Sequence, residues 1–139
     1  MMQDRPTVPE FLTAVTRLLD EELVPNLSGS RQFYARVAAN VLRMVMRELE
    51  YEEEHLAAEW ARLNELLPAA ARPATRAELR EAIGRRTEEL CQRIRRGDAD
   101  AGPYRDQVVA HLRETVREKL LVSNPGWLKT RQRQIQTEI

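Results

Sequence analysis

The chain has 139 residues, and 22 lysines and arginines balance 22 aspartates and glutamates, so its formal net charge at pH 7 is zero. This length is enough for one domain with a real hydrophobic core and too short for two. The charge balance argues against a nucleic-acid-binding protein, which would concentrate basic residues on one face. No apolar run is long enough to span a bilayer.

Three further features bear on compartment and assembly. The N-terminal residues MMQDRP lack the basic-then-apolar order of a signal peptide. Cys91 is the single cysteine, so no intramolecular disulfide can form, and we expect a cytoplasmic protein. Residues 1–67 carry 7 basic and 12 acidic side chains (net −5), whereas residues 68–139 carry 15 and 10 (net +5). This asymmetry favours packing of the two halves on each other or head-to-tail association of copies.

Helical periodicity recurs along the chain and no stretch alternates with a period of two, so the sequence predicts an all-α fold. A capping box at Thr7 and Glu10, with Pro9 in the first turn, begins the first predicted helix. The loop at residues 25–29 ends it. Its predicted buried face consists of Phe11, Leu12, Val15, Leu18, Leu19 and Leu23.

The second predicted helix, residues 31–49, is the most informative segment, because apolar side chains cover about two thirds of its circumference. The remaining wedge is a continuous stripe of Arg36, Asn40, Arg43 and Arg47 at spacings i, i+4, i+7 and i+11. We expect so apolar a helix to lie at the centre of the domain, with neighbours on several sides. The polar stripe is then either its solvent face or the lining of a polar site.

Three more helices are predicted. The acidic run at residues 50–54 marks the end of the second helix or its junction with the third, which stops at Pro68. Residues 69–74 form a linker, a capping box at Thr75 and Glu78 begins the fourth helix, and Gly97 ends it. The fifth helix covers residues 104–122. The side chains expected to point inward from it are Tyr104, Val108, Val109, Leu112, Val116 and Leu120.

The predicted architecture is therefore a single, mostly antiparallel bundle of about five helices over residues 1–128. Residues 129–139 show no clear apolar stripe, and we expect this tail to fray or to contact another chain.

Two charged residues interrupt apolar faces: Glu22 on the first helix and Lys119 on the fifth. An unpaired buried charge costs several kcal/mol, so each needs a partner or a ligand. In the structural interpretation, each lies near a helix end or pairs with the other or with Arg36. In the functional interpretation, Glu22, Arg36, Asn40 and Lys119 line a polar pocket between helices 1, 2 and 5, which binds an anionic or acyl ligand or uses the lysine as a base.

Other chemistry is poorly supported. Glu52 and His55 supply one Glu-x-x-His spacing, but a di-iron bundle needs two such motifs, and the other histidine, His111, has valine three residues before it. Cys91 has no histidine nearby in the sequence, and the five glycines are isolated, so no phosphate-binding loop is present. We predict no catalytic residue, metal or cofactor.

Residues 4–7 (DRPT), 33–42 (FYARVAANVL) and 119–125 (KLLVSNP) together resemble a bacterial family of small proteins of unknown function. The resemblance extends from Gln3 to Leu128 and includes Arg36, Asn40 and Lys119. In that family the genes lie beside those of aminoglycoside-phosphotransferase-like kinases and acyl-CoA dehydrogenases. The resemblance therefore implies an accessory role in acyl-CoA catabolism, with one of these enzymes as partner, and it names no reaction.

We therefore expect a non-catalytic accessory or interaction protein, with a phosphotransferase-like kinase as candidate partner, and a homodimer. The alternative is a small-molecule-binding protein or small enzyme that uses the polar pocket. An exposed apolar patch would favour the interaction protein, whereas a deep cavity holding Arg36 and Lys119 would favour the alternative.

Overall fold

The computed structural model describes residues 4–129, and every regular element in that range is helical, which confirms the all-α class. None of these helices has the length and apolarity that a membrane-spanning segment needs. By internal contacts the chain divides into two compact units, Met1–Glu50 and Tyr51–Ile139. The helices are α1 (Val8–Arg17), a π-helical turn (Leu18–Leu23), α2 (Val24–Asn26), α3 (Gly29–Leu66), α4 (Arg76–Arg95) and α5 (Gly102–Ser123).

Both predicted capping boxes are confirmed. At the start of α1, the Thr7 amide donates to a Glu10 carboxylate oxygen at 2.6 Å, and the Glu10 amide donates to the Thr7 hydroxyl at 3.4 Å. At the start of α4, the corresponding distances between Thr75 and Glu78 are 3.1 and 3.3 Å. Each box satisfies two of the amide groups that the first helical turn leaves unpaired. Gly97 adopts a φ of 89° just after α4, as expected of a helix-ending glycine.

The predicted break between the second and third helices is wrong, because Gly29–Leu66 is one continuous helix of 38 residues. Glutamate is a good helix former, so an acidic run does not interrupt a helix. Within this run Glu52 is buried, and its carboxylate pairs with Arg76, at 3.1 Å, and with Arg80. Two arginines of α4 therefore neutralise the buried charge.

In the first unit, few side chains are buried: among residues 4–50 these are Thr16, Ala35 and Ala39. The Thr16 hydroxyl is satisfied by the Leu12 carbonyl at 2.8 Å. The expected burial of residues 31–49 on several sides is wrong, because the buried side chains of this segment, Ala35 and Ala39, lie on one face. Much of the remaining apolar arc is exposed, at Phe33, Tyr34, Val37, Val41, Val45 and Leu49.

The second unit contains the hydrophobic core. Two side chains form hydrogen bonds at the C-terminal end of α3. The guanidinium of Arg86 donates to the carbonyls of Leu63 and Pro68. The Tyr104 hydroxyl donates to the carbonyl of Leu66. The Tyr104 bond satisfies a carbonyl that the end of a helix leaves unpaired, whereas the Leu63 carbonyl also accepts from the Leu67 amide. The buried core residues are Trp60, Leu63, Leu66, Leu67, Leu79, Ala82, Ile83, Leu90 and Val108.

The predicted inward face of α5 is partly wrong. Val108 is buried as expected, but Leu112 and Val116 are 45% and 55% exposed. The buried residues on this helix also include His111, Thr115 and Glu118. Hydrogen bonds from α3 to this polar side, described below, explain the rotation.

Two predictions are not tested by this fold. The single domain over residues 1–128 and the mostly antiparallel bundle stay predictions. The tail from residue 130 onwards lies outside the described residues, and residues 125–129, which precede it, are helical.

Candidate functional site

Three of the predicted site residues, Glu22, Arg36 and Asn40, lie in the first unit and are exposed. Among the described residues no ion pair joins Glu22 to Arg36, so the predicted pairing is wrong. The ion pair that forms in this region instead joins Asp20 to Arg43, which lies about two turns beyond Arg36 on the polar stripe. As ligand-binding residues, Glu22, Arg36 and Asn40 stay predictions.

The fourth predicted residue, Lys119, is also exposed, so it does not interrupt a buried face of α5 as the sequence predicts. The rotation of α5 places its neighbour Glu118, rather than Lys119, against α3. Lys119 still acts over a distance, because its charge partly offsets the effect of burial on the pKa of Glu59. Its role in binding a ligand stays a prediction.

The buried polar contact in the second unit is the ion pair between Arg62 of α3 and Glu118 of α5. The guanidinium donates to the two carboxylate oxygens at 2.9 and 2.6 Å, and a longer contact of 3.5 Å reaches the Thr115 hydroxyl. The two charged side chains are 20% and 10% exposed. Hydrogen bonding to Glu118 raises the pKa of Arg62, so the guanidinium stays charged.

His111 lies one turn before Thr115 and is 4% exposed. Burial lowers the pKa of its imidazole, the charge of Arg62 lowers it further, and Glu118 opposes both effects. The neutral imidazole is therefore favoured at neutral pH. Among the described residues, no group hydrogen-bonds to His111 Nδ1 or to Arg62 Nε. Both residues line a cavity of about 210 Å³, together with Glu65, Leu66, Gln107, Ala110 and Glu114.

Glu59 completes this set of polar groups, one turn before Arg62 on α3. Burial raises the pKa of its carboxyl group, and the charges of Lys119 and Arg62 act in the opposite direction. We call Glu59, Arg62, His111, Thr115 and Glu118 the polar seam. The spacing of its α5 members, i, i+4 and i+7, is visible in the sequence as a stripe, but hydrophobic periodicity predicts that the apolar stripe beside it faces inward.

The half-buried and exposed apolar side chains of α5 border a groove of about 700 Å³. Leu112 and Val116 line it, and Trp127, which is 51% exposed, lies beyond the end of the helix. We call this surface the α5 groove. Its charged lining residues are Arg113, Glu114 and Arg117, and a bond of 2.9 Å joins the last two. The lining therefore carries two positive charges and one negative charge.

The two residues of the single Glu-x-x-His motif, Glu52 and His55, make contacts with other side chains. Glu52 binds Arg76 and Arg80, and the ring of His55 stacks on Tyr51 with a centroid separation of 5.4 Å. The carboxylate that a metal ion would use is thus already engaged by two cations.

The comparisons with known proteins identify a family. A family model described as a domain of unknown function, DUF6285, matches residues 25–127, which are 103 of the 139 residues. The chain therefore belongs to the DUF6285 family, in agreement with the resemblance to a family of unknown function. No curated protein and no solved structure matches the chain.

Proposed function

We propose that this member of the DUF6285 family is a non-catalytic accessory protein that binds a protein partner through the α5 groove. The observation that carries the proposal is the exposure of Leu112, Val116 and Trp127 along one groove, where the amphipathic sequence of α5 would normally bury its apolar side. Clustered apolar side chains on a surface mark interaction sites far more often than isolated ones do.

The dimensions of the groove suit a helix as ligand. Its α5 lining extends from Val109 to Leu120, a rise of roughly 16 Å at 1.5 Å per residue. This length accommodates about three turns of an amphipathic helix, whose apolar anchors at i, i+3, i+4 and i+7 enter such grooves. Because the lining has an excess of one positive charge, we expect acidic residues beside the apolar anchors of the partner.

The partner that we propose is the phosphotransferase-like kinase implied by the resemblance, in acyl-CoA catabolism in the cytoplasm. The test uses the purified kinase, with the purified acyl-CoA dehydrogenase as the second candidate, and the immobilised full chain. Val116→Glu introduces a charge into the groove and should reduce binding at least 10-fold. Gln92→Glu adds the same charge at an exposed position of α4 and should leave binding unchanged.

Binding of neither enzyme, or equal binding by the parent chain and both variants, would contradict the proposal. Circular dichroism spectra of both variants check that the helices remain intact, since Val116 is 55% exposed and its replacement removes little buried surface.

A second candidate function, small-molecule binding, is favoured by one observation in the polar seam. His111 Nδ1 and Arg62 Nε are buried beside a 210 Å³ cavity without hydrogen-bond partners among the described residues. A hydroxyl or carboxylic acid group offers both a donor and an acceptor to such a pair. Native mass spectrometry of the parent chain should then detect a retained small molecule that His111→Leu loses, and an unliganded mass for both proteins would exclude this function.

A further inference from the structure

A second apolar surface lies on the first unit, on α3. The side chains of Phe33, Val37, Val41, Val45 and Leu49 follow one another at a strict spacing of four residues, and each is 41–62% exposed. The opposite face of the helix holds the buried Ala35 and Ala39. The exposed stripe is therefore not the contact by which this unit folds.

The neighbouring helix α1 shows the same division. Phe11, Val15 and Leu18 are 43–52% exposed at spacings i, i+4 and i+7, whereas Thr16 is buried. Beyond α1, Asp20 pairs with Arg43, and four residues later the Val24 carbonyl accepts from Gln32 at 2.9 Å. The contacted position on α3 therefore moves back from residue 43 to residue 32 as the chain advances from residue 20 to residue 24.

These two contacts indicate an antiparallel pair. At 100° per residue, the exposed stripe of α1 and the Val45–Leu49 end of the α3 stripe then lie on the same side of the two helices. The apolar surface of the unit is thus continuous from one helix to the other.

The area of this surface is large enough for a stable interface. The eight residues of the two stripes are 41–62% exposed: Phe11, Val15, Leu18, Phe33, Val37, Val41, Val45 and Leu49. Together they present on the order of 700 Å², close to the roughly 800 Å² that each partner of a stable protein–protein interface contributes. Residues 4–50 bury only three side chains and so supply little core of their own, which is a further reason to expect a partner on this surface.

We propose that a second copy of this chain covers the surface, in a two-fold symmetric dimer with its axis at Val41. The spacing of the stripe is symmetric about this residue, so an antiparallel pair of α3 helices would place Val37 against Val45 of the second copy. Each step of four residues turns the stripe by about 40° around the helix, so Phe33 and Leu49 lie toward opposite margins of this contact. An isologous interface requires exactly this self-complementarity.

Two further pairs fit the same axis. Ala38 falls opposite Met44 of the second copy, so a small side chain faces a long, adaptable one. Tyr34, which is 66% exposed, falls opposite Glu48, which is also exposed, and the phenol can donate to that carboxylate. The surface thus offers a polar pair at each end of an apolar centre, which is the usual anatomy of an interface.

The first experiment measures the dimer constant of the full chain by sedimentation velocity between about 5 and 200 µM. Val41→Glu places two like charges together at the axis and should raise the dissociation constant at least 100-fold. Asn40→Glu adds the same charge one residue away, on the polar stripe, and should change it less than threefold. Circular dichroism checks the fold of both variants.

A second experiment tests the axis itself. In a Cys91→Ser background, Val41→Cys should form a disulfide-linked dimer under mild oxidation, because a two-fold axis brings this position close to its own copy. Asn40→Cys should remain a monomer on a non-reducing gel.

The inference is independent of the proposed function, because it concerns a different surface. Val116→Glu, on the α5 groove, should leave the dimer intact while it reduces partner binding. A parent chain that sediments as a 16.1 kDa monomer at 200 µM, a Val41→Glu variant that remains dimeric, or a dimer lost in Val116→Glu instead would each overturn the inference.

Discussion

Removal of the Glu118 carboxylate is the most direct perturbation of the polar seam. Arg62 donates two hydrogen bonds to this carboxylate, at 2.9 and 2.6 Å, and the two side chains are 20% and 10% exposed. In Glu118→Ala the guanidinium remains charged, because arginine does not lose its proton in proteins, but its bidentate partner is gone. Breaking a buried ion pair on one side costs about 3–5 kcal/mol.

We expect a loss of about 3 kcal/mol, at the lower end of that range, because Arg62 is partly open to water and Glu59 still contributes a nearby negative charge. Urea unfolding gives the measurement. The chain has two tryptophans, and Trp60 is 6% exposed in the core of the second unit. In a Trp127→Phe background the fluorescence therefore reports on that core alone. With a urea dependence of about 2 kcal/mol per molar, the midpoint should fall by roughly 1.5 M.

Glu114→Ala is the matched control, since it removes the same side chain from the same helix. Glu114 also pairs with an arginine, Arg117 at 2.9 Å, but the two side chains are 48% and 55% exposed. A solvated pair of this kind contributes about 1 kcal/mol or less. The reasoning fails if Glu118→Ala costs no more than Glu114→Ala, because burial would then have no measurable effect on the ion pair.

Two further predictions concern the second unit. Leu63 is fully buried, so Leu63→Ala should lower the free energy of unfolding by about 2–5 kcal/mol, as measured by the same urea titration. Burial lowers the pKa of His111 below its ordinary value of 6.5. Between the lowered pKa of the folded chain and 6.5, the unfolded chain binds a proton that the folded chain does not. The free energy of unfolding should therefore fall as the pH is lowered through this range. The raised pKa of Glu59 has the opposite effect on stability, so the test compares the free energy of unfolding of the parent chain with that of His111→Gln between pH 7.5 and 5. The same dependence on pH in both proteins would contradict the prediction.

Helix starts could be predicted from the sequence because their signals are local. Thr7 and Glu10, like Thr75 and Glu78, form their hydrogen bonds within one turn of chain, so residue type and spacing suffice. The same holds for Gly97, whose positive φ is a property of that residue and its immediate neighbours.

The continuity of α3 could not be predicted in the same way. The run at residues 50–54, four glutamates and one tyrosine, predicts an exposed helix end, but it stays helical and its middle member, Glu52, is buried. What makes its burial tolerable is a pair of arginines, Arg76 and Arg80, 24 and 28 residues further along the chain. Compensation between distant charges leaves no periodic signal.

The polar seam was missed for a related reason. Hydrophobic periodicity predicts that the side of α5 that holds Leu112 and Val116 faces inward, which leaves the side that holds His111 and Glu118 toward solvent. The structure reverses this assignment because Arg62, on another helix, satisfies Glu118. Hydrophobic periodicity identifies the apolar side of a helix, but it does not identify which partner covers that side.

The two exposed apolar surfaces differ in the charge of the residues that line them, and this difference separates the two proposed associations. The stripe of α3 is apolar from Phe33 to Leu49, whereas the α5 groove is lined by Arg113 and Arg117 as well. Attraction between exposed charges is screened within about 10 Å at 0.1 M salt and about 3 Å at 1 M, whereas apolar burial is not weakened by salt. Partner binding at the groove should therefore weaken when NaCl is raised from about 0.1 to 1 M, and the dimer should not. Equal salt dependence of the two constants would mean that one surface, rather than two, serves both associations.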